Sequence, residues 1–302
     1  MSSRKAPAKA SVTSKLPRFV KLTATQYHAD YSAIGRSSLW TFRESRRQYE
    51  AEHVTKTAPA RKKSKPMDIG TLSHYGLLEP EKFPTQYAVF PADVLAKKDG
   101  KPSCDGAEST DAARKFREVN ERAGKVVLKQ ADFEIVSQVV ESVRSELDWL
   151  GWLDVKARRE QAIYWTEPKT GLPCKTLLDW LIVAKGTAFV LDFKTTNNAD
   201  PTAFRYICED KGYWLQDAHY SEGAGLVTGL PVEFLFIVAE TKFPFRCTIV
   251  QLSPRDRAAA AEARRGILSN LAGCLKSGDF SEPWEHRVNE LALRPSCYEQ
   301  AS

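Results

Sequence analysis

The spacing of apolar and polar positions changes character part-way along the chain. From about residue 30 to 150 apolar residues recur at helical intervals. In "SSLWTFRESRRQYEAEHV" (37–54) a serine start signal precedes Leu39, Phe42 and Tyr49, which share a helical face. "MDIGTLSHYGLLEP" (67–80) predicts a short helix closed by Pro80. Residues 81–106 are irregular, with a Lys/Gly/Pro/Ser loop near 97–103, and a helix follows over 108–123. The clearest amphipathic stretch is 131–150, where Val136, Val139, Val140, Val143 and Leu147 fall on one face. Beyond it, β-rich runs at 161–166, 174–183, 187–193, 232–239 and 245–252 are separated by turn residues. A helix over about 201–225 interrupts them, and an N-capped helix over 253–278 closes the pattern. A helical half at 26–155 and a sheet-rich half at 156–302 predict one α/β domain, its central sheet mixed, largely antiparallel and flanked by helices.

Two of the strands form "LLDWLIVAKGTAFVLDFKTT" (177–196), and each carries an acid inside an apolar run. A hairpin centred on Lys185-Gly186 sets Asp179 opposite Asp192, with Cβ atoms about 5 Å apart. Lys194 lies two residues on and therefore shares a face with Asp192. Opposed like charges are destabilising unless a divalent cation sits between them. Oxygen donors of this kind suit Mg²⁺ or Mn²⁺, and the neighbouring lysine could orient or activate a water attacking a phosphodiester. The competing reading is an ordinary strand end in which Asp179 and Lys194 form an ion pair.

Composition narrows the classes. The chain has 302 residues, 42% hydrophobic and 10% aromatic, which implies a globular protein with a sizeable core. A net charge of +6 is compatible with nucleic acid but does not single it out. Residues 1–29 hold Arg4, Lys5, Lys9, Lys15, Arg18 and Lys21 and no acid, so 1–25 reads as a flexible basic tail. A second basic run is Arg61-Lys62-Lys63-Ser64-Lys65. Six scattered cysteines with no Cys-x-x-Cys pair imply free thiols in a reducing cytoplasm and argue against a zinc knuckle or an iron–sulfur cluster. No apolar run approaches membrane-spanning length.

The order Asp, strand, Asp-x-Lys in "LLDW…LDFKTT" resembles the PD-(D/E)xK nuclease superfamily. Three flanking stretches extend the likeness toward its RecE-type exonucleases, the exodeoxyribonuclease VIII of prophages. "IGTLSHYGLLEPEKF" resembles that group's Gly-Thr-x-x-His segment, "EQAIYWTEPKTGLPCKTLLDWL" its strand into the first aspartate, and "GYWLQDAHYSEG" its Gln-x-x-x-Tyr helix. The likeness runs from about residue 30 to 295. Leu178 stands where the signature has proline, and Leu177 where an arginine is common.

The resemblance implies roles. Asp179 and Asp192 would hold metal, with the Phe193 carbonyl a further ligand and Lys194 the water-orienting base. His74 would complete the metal site, and Glu160, just before the first strand, would serve a second ion. Gln216 and Tyr220, at i and i+4 on one helix face, would contact DNA near the scissile bond. Arg36 and Ser37 could meet a 5′-phosphate at a helix N-terminus. The implied activity is Mg²⁺-dependent digestion of double-stranded DNA from its ends, 5′-to-3′, leaving 3′ overhangs for a single-strand annealing partner. A ring of three or four subunits belongs to the same expectation. Another nuclease of the superfamily, of restriction or CRISPR-adaptation type, and a non-catalytic DNA-binding module are the alternatives.

Overall fold

The computed structural model describes residues 16–59, 65–153 and 155–292, of which 65–68 by their backbone only. The basic run at 61–65, the first part of the tail and Cys297 lie largely or wholly outside those residues.

Short elements come first: β1 (Arg18–Val20), α1 (Ala24–Ala29), α2 (Arg36–Glu44), α3 (Arg46–Tyr49) and a π-helical turn at Glu50–Val54. Next are α4 (Lys65–Leu78), β2 (Tyr87–Val89), α5 (Asp111–Arg122), β3 (Val126–Leu128) and α6 (Gln130–Trp149). The remainder is β4 (Ala157–Thr166), β5 (Pro173–Ala184), β6 (Thr187–Thr196), α7 (Pro201–Asp210), α8 (Tyr213–Thr228), β7 (Val232–Glu240), β8 (Cys247–Val250) and α9 (Pro254–Ser277). The main sheet has the order β1-β4-β5-β6-β7-β8. Only β6 and β7 are parallel in it, and the α7–α8 crossover supplies the long connection that parallel strands require. The expected mixed, largely antiparallel sheet is found.

One face of the sheet packs against α2, α8 and α9 through Leu39, Phe42, Leu215 and Leu268. The other face packs against α4 and α6, where Val139, Val143 and Leu147 repeat at helical spacing. The expected stripe on α6 is therefore its buried face.

Several boundaries differ from expectation. The first long helix breaks at Ser45, whose side chain accepts from the Gln48 amide and restarts the chain as α3. The helix expected over 201–225 is two, α7 and α8, parted at Gly212 with φ +63°. Arg18–Val20 pairs antiparallel with β4 and α1 follows it, so regular structure begins inside the segment expected to be a tail. A strand of three residues has too little pattern to announce itself. Ahead of α2, the Ile34 amide donates to the Pro173 carbonyl and the Lys175 amide to the Ile34 carbonyl, which fixes the start of α2 beside β5.

Candidate active site

The hairpin adopts the expected register. Ala184↔Thr187 closes a two-residue loop in which Lys185 and Gly186 both have positive φ, and pairing continues to Trp180↔Leu191. There it stops. Asp192 goes on to pair with Phe236 of β7, whereas β5 parts from β6. The Phe193 amide, which a continuing ladder would have bonded, donates instead to Asp179 Oδ2 at 2.8 Å. The site occupies this opening.

Helices reach it from both layers. His74 comes from α4: its ring lies edge-on to Phe193 at 5.1 Å, and Nδ1 is 3.9 Å from Asp179 Oδ2. Gly70, one turn earlier, lets α4 approach β6 this closely, since a Cβ there would stand 3.3 Å from Thr195 Oγ1. From α8, Gln216 donates to Asp192 Oδ1, and Tyr220 lines the same cavity one turn on. Arg36 and Ser37 border that cavity, which measures about 550 Å³ and also contains Glu160, Asp179, Asp192, Phe193 and Lys194. All the residues expected at the site thus share one cavity.

Their pairings differ in part from expectation. Lys194 donates to Asp192 Oδ2 within β6 and approaches the Phe193 carbonyl at 3.4 Å, so the ion pair that forms is Asp192–Lys194. Asp179 accepts from the Phe193 amide, and His74 Nδ1 stands 3.9 Å from it. Ligand atoms of His74, Glu160 and Asp179 all lie within 4.8 Å of one another, so Glu160 belongs to the same cluster as Asp179.

Burial sets the electrostatics of this group of acids. Burial raises both Asp179 and Asp192 to about 6, with Lys194 opposing the shift. Burial and the Asp179 carboxylate raise Glu160 to about 8. Burial and the nearby ammonium hold the His74 ring below its ordinary value, which keeps it neutral with a lone pair to offer. Burial disfavours the charged Lys194, yet Asp192 and Asp179 outweigh it and the amine stays protonated. An ion with bonds of about 2.0–2.1 Å spans donors up to about 4.2 Å apart. Donors 4.8 Å apart would therefore need to close by about 0.6 Å, and two carboxylates with one imidazole form a donor set that a divalent cation accepts.

Glu79 and Tyr213 also line the cavity and carried no chemical assignment from sequence. Glu79 closes the "LLEP" end of α4 and acts on Glu160; its place in that motif was the available signal. Tyr213 opens α8, with the Lys194 ammonium 5.0 Å from its ring centroid; it lies in the quoted Gln-x-x-x-Tyr stretch but outside that pattern's two named positions. Five free cysteines are found among the described residues, and no helix among them is long and apolar enough to cross a membrane.

The chain belongs to the family described as a PDDEXK-like domain of unknown function (DUF3799), whose model matches residues 35–284 and so contains every site residue named above. A crystal structure of a "Putative exonuclease" from Eubacterium rectale has TM-score 0.56 at 13% identity, over 94% of this chain and 100% of that one. At that identity the likeness shows the fold alone. Protein VC1899 from Vibrio cholerae aligns over 88% of this chain and 60% of its own at 11% identity, and its TM-score of 0.20 supports no structural argument. No curated protein matches by sequence.

Proposed function

From membership of that PDDEXK-like family we propose that this chain is a Mg²⁺-dependent exodeoxyribonuclease of the RecE type. It digests duplex DNA from its ends, 5′-to-3′, and leaves 3′ single-stranded overhangs for recombination. The observation that carries the reading is the convergence of His74, Glu160 and Asp179 within 4.8 Å, where β5 and β6 separate beside the Asp192–Lys194 pair. A divalent cation bound there supplies Lewis-acid polarisation of the scissile phosphodiester. His74, Glu160 and Asp179 would hold it, and Asp192 would contribute an oxygen released from Lys194. Lys194, protonated beside Asp192, is set to orient the attacking water and to offset charge on the phosphate; it can take a proton only once Asp192 is otherwise engaged. Gln216 keeps Asp192 in place, and Tyr220, Arg36 and Ser37 line the side of the cavity where a phosphate would lie.

The resemblance adds a closed ring of three or four subunits and a single-strand annealing protein as partner. Digestion of end-labelled linear duplex, beside covalently closed circular duplex, tests the reading in Mg²⁺ and in EDTA. Loss of 5′ label from the linear form only, in Mg²⁺ only, is the expected result. Cutting of the closed circle would assign the chain to an endonuclease branch of the superfamily, and no cleavage of either would leave a DNA-binding module.

A further inference from the structure

Cations and aromatic rings alternate without a gap from the catalytic cavity to the surface. The Lys194 ammonium lies 5.0 Å from the Tyr213 ring centroid. Arg36 follows, 5.6 Å from Tyr213 and 5.7 Å from Trp40. Arg43 comes next, 4.8 Å from Trp40 and 5.5 Å from Trp214, and the two tryptophans meet edge to face at 6.2 Å. The backbone is shaped to this arrangement. Gly212 has φ +63°, and a Cβ on it would stand 2.1 Å from the Trp40 ring, so only glycine admits Trp40 here.

Hydrophobic packing alone accounts poorly for the row. Tyr213, Trp40 and Trp214 are only half-buried, and Arg43 keeps 44% of its side chain exposed. The Arg43 carboxylate partner is the adjacent, equally exposed Glu44, a pairing worth little in water. Arg36 donates to the Lys211 carbonyl, but its buried Nε has no partner. Past Trp214 the surface opens into an apolar groove of about 780 Å³ lined by Phe204, Phe236 and Leu252.

Half-open rings interleaved with guanidinium groups match one ligand chemistry well: a strand with unpaired base faces to stack and phosphates to pair. A duplex hides its base faces from such a row. We propose that Tyr213, Arg36, Trp40, Arg43 and Trp214 form a track for single-stranded DNA leading away from the catalytic cavity. Bases stack on the rings and phosphates lie against the arginines. The inference rests on the nuclease reading only in naming which strand uses the track, the one left without its complement.

The test is binding by the full chain in EDTA, where no hydrolysis occurs. A short oligothymidylate should bind roughly ten-fold more tightly than an abasic strand of equal length, and Trp214→Ala and Arg43→Ala should each remove most of that preference. Because the tryptophans also pack against the core, a second measurement uses the unmodified protein. Photocrosslinking of a 5-iodouracil-substituted strand should map to Trp40, Tyr213 or Trp214. No base preference in the unmodified protein, or crosslinks confined to other residues, overturns the proposal. Hydrolysis in Mg²⁺ is scored separately, so failure of the nuclease reading leaves the binding result standing and the reverse also holds.

Discussion

Glu160 stands opposite Asp179 between the ladder pairs Arg159↔Trp180 and Gln161↔Leu178, yet the two form no ladder pair. Glu160 has φ +47°, a left-handed conformation unusual for a side chain of this size. Both strands change face here. Cys174 and Leu178 pack on the α8 side while Trp180 and Ile182 pack on the α6 side, although strict alternation would put all four together. The kink accompanies the gathering of both carboxylates beside His74.

Backbone strain of this kind costs about 1–3 kcal/mol and glycine escapes it. Glu160→Gly should therefore melt higher than the parent in EDTA, by an amount of order 1 kcal/mol, because it also removes a carboxylate from beside Asp179. Mg²⁺ should raise the melting temperature of the parent, and the same variant should lose most of that rise. A lower melting temperature in EDTA would show that the left-handed turn costs nothing here.

The raised carboxylates set a pH dependence. Glu160 moves from 4.5 to about 8, so between those values the folded state holds a proton that the unfolded chain has released. Stability without metal must then fall as pH rises. Asp179 and Asp192, at about 6, contribute below pH 7, where the lowered His74 opposes them, so the span from 7 to 8 belongs to Glu160. Melting curves in EDTA should decline across that span in the parent and stay flat in Glu160→Gln. Saturating Mg²⁺ should reverse the slope, since it favours the deprotonated acids.

If the proposed activity holds, Asp192→Asn and Lys194→Ala should each lower cleavage by at least 100-fold and leave duplex binding largely intact, because protein–DNA affinity rests in general on phosphate contacts and not on the reacting groups. Asp192→Asn removes one of two neighbouring acids, but it also strands the Lys194 ammonium in a buried setting. A loss of about 3 kcal/mol in metal-free stability is expected. Wild-type turnover in the Asn variant would remove Asp192 from the chemistry.

Away from the cavity, Arg264 is 1% exposed, donates to His219 Nδ1 at 3.0 Å and pairs with Glu222, while His219 Nε2 lies 3.1 Å from the Lys175 carbonyl. This network ties α9 and α8 to β5. Arg264→Leu should cost about 3–5 kcal/mol by leaving Glu222 without its partner, measured by urea titration. Adding Glu222→Gln should recover part of the loss; no recovery would mean that packing, not charge, is what Arg264 supplies.

The sequence by itself determined what is local. Alternation and a Lys-Gly turn set the β5–β6 register, a 3.6-residue period set the buried face of α6, and i, i+4 spacing set Gln216 and Tyr220 on one side of α8. The tertiary structure decided where the β5–β6 ladder ends, and with it that Asp179 takes the Phe193 amide while Asp192 takes Lys194 and Gln216. It decided too that Glu160, and not Asp192, joins His74 and Asp179 in one cluster, and that Arg18–Val20 is a strand. The reason is one of range. Register and helical faces follow from neighbours within a few positions, whereas a carboxylate's partner depends on which donors other elements bring to it, here α4 and α8 from opposite layers of the sheet.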